Sequence, residues 1–157
     1  MELFPAPHPN QSGSFNNLAS ALSTRFEQKG ELNDLEESIL CNRQALELTA
    51  VPHPNRSWSL NNLASSLSTR FEQKGDLDDI EESISCHRQA LELTAAPHPN
   101  RSLSLNNLAS ALSRRFEQKG DLDDLEESIS CHREALELFP ALHPDRSRFL
   151  NRLGSTL

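Results

Sequence analysis

The segment HPNRSWSLNNLASSLSTRFEQKGDLDDIEESISCHRQALELTAAP, residues 53–97, is repeated by residues 98–142 with only eight substitutions, and this repetition indicates the fold. Self-similarity at a fixed period, here 45 residues, is the signature of stacked supersecondary units that contact only their neighbours. We therefore expect a repeat array, and we look for a binding surface before an active site.

A His-Pro dipeptide marks the start of each unit and occurs at His8, His53, His98 and His143. Neither end of the chain coincides with a unit boundary, so we expect a segment of a longer array. The predicted organisation is a single array over 1–157, made of the end of a truncated unit (1–7), three repeats (8–52, 53–97 and 98–142) and the first helix of a truncated fourth repeat (143–157).

The first half of each unit has the apolar spacing of one helical face, i, i+3, i+4, i+7 and i+11. In the second repeat these residues are Leu60, Leu63, Ala64, Leu67 and Phe71. We call this segment helix A. It should begin near residues 53–55 and end before Gly75, which can close a helix in the left-handed conformation.

The second half of each unit predicts another helix, helix B, with Asp76 as its N-cap. The prolines at 97 and 99 should end it. Its predicted buried stripe is wider than that of helix A and contains Leu77, Ile80, Ile84 and Leu91, flanked by Cys86, Ala90 and Leu93.

The predicted fold class is all-α. No strand pattern occurs in the sequence, and a turn of only a few residues between helices A and B forces them to be antiparallel. Such hairpins stack through their apolar faces, so we expect an α-solenoid, a right-handed superhelix of antiparallel helix pairs.

The formal net charge of −8 argues against nucleic acid or an anionic membrane as the main partner, because binding phosphate requires clustered Lys and Arg. Part of this charge is explained locally, since the acidic run Asp76–Glu82 lies at a helix start, where the helix dipole favours negative side chains. No stretch approaches the length of a membrane span, and no signal peptide pattern occurs. We expect a cytoplasmic protein.

No catalytic, metal-binding or cofactor motif is found. The sequence has no GxxxxGK[ST], GxGxxG or HExxH pattern. Cys86 and His87 are adjacent on a helix and point about 100° apart, so they cannot share a ligand site. Cys41, Cys86 and Cys131 are one repeat position copied three times, as expected of buried thiols rather than of a disulfide framework. We predict no enzyme activity, cofactor or metal.

The segments LNNLA (60–64), Phe71, Gly75-Asp76 and ALEL (90–93) resemble the tetratricopeptide repeat, and the match covers essentially the whole chain. The His-Pro dipeptide followed by LNNLA is similar to the kinesin light chain subtype. The long helices and the RFE…GDL segment (70–77) are similar to repeats found beside CHAT domains and nucleotide-binding switch domains in fungal and bacterial proteins. The resemblance is specific for fold and unspecific for partner.

This resemblance implies that helix A lines a concave groove for extended peptides or partner helices. On a helical wheel, Trp58, Asn62, Ser65, Ser66 and Thr69 lie opposite the apolar face, and the helix A substitutions between the two near-identical repeats fall on this strip. Selection for ligand recognition and free drift of exposed positions both explain that pattern. The candidate partner-binding residues are Asn17, Thr24, Trp58, Asn62, Ser65, Thr69, Leu103, Asn107, Ser110, Arg114, Arg148 and Arg152.

The paired asparagines of helix A have two interpretations. The resemblance implies that Asn17, Asn62 and Asn107 hydrogen-bond a peptide backbone, because an amide can both donate and accept. Their neighbours Asn16, Asn61 and Asn106 lie nearer the packed face, where we expect them to bridge adjacent helices.

Arg148 and Arg152, in the truncated fourth unit, are similar to the basic residues of repeats that clamp a partner's C-terminal carboxylate. Asn61 and Ser65 stand where that clamp has a lysine and an asparagine, so this hypothesis is the less favoured one.

The sequence therefore predicts a non-catalytic scaffold that binds a protein or peptide in its groove. The alternative is a sensor or oligomerisation segment of a larger signalling enzyme, such as a CHAT protease or a nucleotide-driven switch protein. A third possibility is end-to-end self-association through the apolar terminal faces.

Overall fold

The computed structural model describes residues 10–50, 53, 55–95 and 100–138. Within these ranges the chain forms only helices, joined as three consecutive hairpins, and no strand. The helices are α1 (Gln11–Lys29), α2 (Leu32–Leu48), α3 (Arg56–Lys74), α4 (Leu77–Leu93), α5 (Arg101–Lys119) and α6 (Leu122–Glu137). In repeat terms, α1, α3 and α5 are helices A, and α2, α4 and α6 are helices B.

The turn inside each hairpin has the chemistry that the sequence predicts. Gly75 has a φ of 71° and donates its N–H to the carbonyl oxygen of Phe71, which closes α3 in a conformation that residues with a Cβ rarely adopt. Asp76 then accepts a hydrogen bond from the N–H of Asp78 at the start of α4. The predicted helix end and N-cap are both confirmed.

Small and charged side chains hold the two helices of a hairpin together. Ser83 of α4 donates to the carbonyl oxygen of Ala64 in α3 at 2.8 Å, a contact that requires close approach of the helices. Toward the turn, Arg70 forms a two-pronged ion pair with the buried Asp79, at 2.8 and 2.5 Å. Both contacts recur in the first and third hairpins.

The core lies between hairpins as well as inside them. One apolar cluster joins Leu35 and Ile39 of α2 to Leu60, Leu63 and Leu67 of α3. A second cluster repeats the arrangement one unit later, between α4 and α5. Because consecutive helix pairs stack through these clusters, the all-α solenoid of antiparallel pairs is confirmed.

Two helix B residues lie outside the core, contrary to the predicted stripe. Leu77 and Leu93 are each 39% exposed, and they are the first and last residues of α4, where a helix has fewer neighbours than in its middle. The prediction that helix B has the wider buried face is wrong for the second and third hairpins, where α3 and α5 have nine and eight buried residues against seven in α4 and five in α6. In the first hairpin it holds, with seven buried residues in α2 against five in α1. The first and last described helices, α1 and α6, bury the fewest residues, so the place of a helix in the stack outweighs its own pattern.

The predicted truncated units at 1–7 and 143–157 lie outside the described residues. The division of the chain at 8–52, 53–97 and 98–142 stays a prediction.

Candidate ligand groove

Successive helices A lie side by side, with α3 in contact with both α1 and α5, and a cleft opens along each of these two contacts. The first cleft, between α1 and α3, has a volume of about 220 Å³. The second cleft, between α3 and α5, has a volume of about 180 Å³. Together the two clefts form a groove across the array.

Six of the predicted partner-binding residues line the two clefts. Ser65 and Thr69 of α3 lie between the clefts and contribute to both. Asn62 lines the first cleft, and the second is lined by the equivalent residues of α5, Asn107, Ser110 and Arg114.

Four other predicted residues lie away from the cleft walls, on exposed helix surface. Asn17 and Thr24 are exposed on α1, and the Thr24 hydroxyl donates to the carbonyl oxygen of Ser20 at 3.0 Å. Trp58 and Leu103, near the starts of α3 and α5, are 42% and 52% exposed. The remaining two, Arg148 and Arg152, lie outside the described residues.

Ser66 is buried, contrary to its predicted place on the exposed strip. Its side chain is 5% exposed and lies 3.3 Å from the Ser38 hydroxyl and 3.4 Å from the Asn42 amide nitrogen of the preceding helix B. The helical wheel assumed one packed face, whereas α3 is packed from two sides. The difference between Ser66 and Ala111 is therefore a difference in packing.

Helix B supplies the floor of each cleft, which the sequence interpretation missed. Asn42 of α2 is 1% exposed and lines the first cleft, while its repeat equivalent His87 lines the second. The sequence contains one signal of this arrangement. Asn42 of helix B is followed by Ser66 in the next helix A, whereas the equivalent His87 is followed by Ala111 at the equivalent position. A larger floor residue is matched by a smaller neighbour above it.

The asparagine pair of α3 is divided between packing and the cleft. The Asn61 amide donates to the Ser104 hydroxyl of α5 at 2.8 Å, and its oxygen accepts from Nδ1 of His87 at 2.9 Å. The Ser104 contact connects helices A of adjacent repeats, and the His87 contact joins α3 to α4 within one hairpin. In contrast, the buried amide nitrogen of Asn62 has no hydrogen-bond acceptor within the described part of the chain.

His87 is neutral at physiological pH. Its burial, together with the nearby charge of Arg114, lowers its pKa to about 4. An imidazole that donates from Nδ1 in the neutral form keeps its other ring nitrogen as an acceptor. The second cleft therefore has an uncharged floor.

The two clefts differ in charge at their rims. In the second, Arg114 forms an ion pair with Glu72 of α3 at 2.5 Å. In the first, Thr69 occupies the position equivalent to Arg114, and the carboxylate equivalent to Glu72 is Glu27. No ion pair to Glu27 is formed by the residues that the structure describes.

The three cysteines are buried and unpaired. Burial raises the pKa of both Cys86 and Cys131 to about 11. In the described ranges, no group of three or more His, Cys, Asp or Glu side chains is arranged to hold a metal ion. None of the described helices combines the length and apolar character needed to cross a membrane.

The sequence profile of the tetratricopeptide repeat matches residues 13–55, 56–100 and 102–145. The chain belongs to the tetratricopeptide repeat family. Among solved structures, this tetratricopeptide repeat array is similar to the N-terminal domain of stress-induced protein-1 (STI-1) from C. elegans, with a TM-score of 0.58 and 18% identity over 93% of this chain and 96% of that one.

A second similar structure is the DHF119 filament, with a TM-score of 0.50 and 16% identity over 93% of this chain and 72% of that one. At these identities both likenesses concern the fold alone. No curated protein sequence matches the array significantly. Tetratricopeptide repeats are in general protein interaction scaffolds rather than catalysts, so the family makes this chain a scaffold for protein or peptide partners.

Proposed function

We propose that the array binds an extended peptide segment of a partner protein along the two clefts between its helices A. The observation that carries this proposal is the unused amide nitrogen of Asn62. A buried donor without an acceptor is unfavourable by about 1–3 kcal/mol, and a peptide carbonyl oxygen in the first cleft would remove that cost. Asn107 occupies the same position in the second cleft.

The remaining groove residues supply hydroxyls and apolar contact. Ser65, Thr69 and Ser110 border the clefts with short polar side chains, which adapt to a peptide backbone. Trp58 and Leu103 offer exposed apolar anchors about one helical turn before Asn62 and Asn107, and a few such anchors dominate the affinity of most interfaces. We assign Asn17 and Thr24 to the continuation of this surface on α1. Arg148 and Arg152 stay a hypothesis for the fourth repeat.

The experiment is selection of random peptides by display on the full chain, followed by binding of synthetic peptides to variants. We expect the double variant Asn62→Ala with Asn107→Ala to weaken the selected peptides about tenfold or more, because two hydrogen bonds of about 0.5–1.5 kcal/mol each are lost. Its melting temperature should change little, since the amide nitrogen removed from Asn62 has no acceptor within the described protein.

The matched control is Asn61→Ala. This substitution removes two packing hydrogen bonds, so we expect a lower melting temperature. Unchanged peptide affinity in the Asn62 and Asn107 double variant would exclude the groove as the binding site.

The narrower assignments remain hypotheses. They comprise similarity to kinesin light chain repeats, occurrence within a larger CHAT or switch protein, fungal origin, cytoplasmic location and end-to-end self-association.

A further inference from the structure

The two clefts occupy equivalent places between successive helices A but differ in charge. Beside the second cleft, Glu72 is neutralised by Arg114, which lines that cleft. In the first cleft the equivalent carboxylate, Glu27, faces Thr69 in place of an arginine. Among the described residues, the difference between Thr69 and Arg114 therefore leaves an unpaired carboxylate at the first cleft, whereas the equivalent carboxylate at the second is paired.

Other acceptors accompany Glu27 in the first cleft. The Asn42 side chain is 1% exposed, lines the floor, and has a side-chain oxygen that receives no hydrogen bond within the described residues. Ser20 and Ser65 add hydroxyls at the wall. An uncompensated buried acceptor favours a ligand that brings donors.

Apolar side chains complete the same cleft. Ala19, Phe26 and Leu35 contribute to its lining. A long basic side chain needs this combination, because its methylene stem packs on apolar surface while its charged end donates hydrogen bonds to acceptors.

We propose that the first cleft is a subsite for a lysine or arginine side chain of the bound peptide, with Glu27 as its charge partner and the second cleft as a neighbouring subsite without this preference. The inference rests on the proposed groove function and specifies the chemistry of its ligand. The formal net charge of −8 also attracts a basic peptide segment, which agrees with the proposed preference.

The test uses peptides selected from a random display library on the full chain, resynthesised with and without their basic residue. We expect one basic position to be enriched, and replacing it by Gln to weaken binding about tenfold, as for a charge-assisted hydrogen bond. Glu27→Gln and Thr69→Arg should give the same loss, since Thr69→Arg installs at the first cleft the ion pair found at the second. Glu117→Gln is the matched control, because Glu117 is the equivalent residue of α5 and lines neither cleft.

The reverse substitution tests the same charge difference at the second cleft. Arg114→Thr frees Glu72 and should add a second, weaker basic preference, because the lining of the second cleft lacks the apolar side chains of the first. Adjacent helices A lie about 10 Å apart, and an extended chain advances about 3.4 Å per residue, so the new basic position should appear about three residues from the first.

The outcomes separate this inference from the proposed function. Selected peptides that lose binding in the Asn62 and Asn107 double variant, but show no basic preference, would overturn the lysine or arginine subsite and leave the groove in place. A selection that enriches no peptide at all would remove both proposals.

Discussion

The neighbouring residues Asn61 and Asn62 are chemically identical, yet their environments differ. Asn61 contacts Ser104 and His87 and ties one repeat to the next, while Asn62 points to the cleft with an unused donor. A helix turns about 100° per residue, so two adjacent amides necessarily face different surroundings. One amide stabilises the stack and the other is available for a ligand.

At the residue scale we predict that His87 makes stability depend on pH. Its folded pKa of about 4 lies below the ordinary value of 6.5, so between these values the unfolded chain binds a proton that the folded chain does not. Stability should therefore fall as the pH drops from about 6.5 to about 4, by up to about 3 kcal/mol if the full shift is expressed. Urea unfolding followed by circular dichroism across this range measures the slope.

The control for this prediction is His87→Asn, which installs the residue that the first repeat has at this position. In this variant the free energy of unfolding should lose the part of its pH dependence that comes from His87, even if its value at neutral pH is lower. An unchanged slope would show that other groups produce it.

At the element scale, the ends of the helices are satisfied by contacts that join successive units. Arg56, the first residue of α3, donates to the carbonyl oxygens of Leu46 and Thr49 at 3.1 and 2.6 Å. These carbonyls belong to the C-terminal end of the preceding helix B, where acceptors otherwise lack partners. Arg101 repeats the contact with Leu91 and Thr94. The start of each described repeat after the first therefore caps the end of the one before it.

A glycine that closes a helix A and a glycine inside one should respond oppositely to alanine. Gly75 has a φ of 71°, so Gly75→Ala should destabilise by about 1 kcal/mol through backbone strain. Gly13 lies inside α1, and an added Cβ there meets nothing within 4 Å. Gly13→Ala should stabilise by about 0.5–1 kcal/mol, since alanine is the better helix former. Chemical denaturation of both variants measures the two effects, and a change of the same sign in both would contradict this assignment.

At the scale of the whole molecule, apolar packing rather than surface charge holds successive hairpins together. Ion pairs such as Arg43–Glu82 and Arg88–Glu127 cross these junctions at the surface, where such pairs contribute roughly 0–1 kcal/mol each. The apolar clusters between α2 and α3 and between α4 and α5 contribute more, because burial of one large aliphatic side chain stabilises by about 1.5–3 kcal/mol.

A repeat-equivalent pair of leucines tests this distribution of stability. Leu63 is 3% exposed at a junction, whereas Leu18, at the same position of α1, is 46% exposed. We expect Leu63→Ala to destabilise by about 2–5 kcal/mol and Leu18→Ala by less than about 1 kcal/mol. If urea unfolding showed equal losses of unfolding free energy in the two variants, the contribution of a leucine to stability would depend on its position within the repeat rather than on the place of that repeat in the stack.

The helices, their ends and the solenoid were predictable from the amino-acid sequence. Periodic leucines, the Gly75-Asp76 turn and the repetition over 45 residues are local signals, and each acts within one hairpin or between identical neighbours. The strip containing Asn62, Ser65 and Thr69 also followed from helical geometry, because residues three, four and seven positions apart share a face.

Only the tertiary structure decided which polar side chains are buried, which line a cleft and which carry unpaired charge. Ser66 is buried because α2 packs against α3 from the preceding repeat, a contact that no single-helix pattern contains. The floor residues Asn42 and His87 come from helix B, and the difference between Glu27 and Glu72 depends on whether residue 69 or 114 of the following repeat is an arginine. These properties arise between repeats, where residues distant along the chain meet.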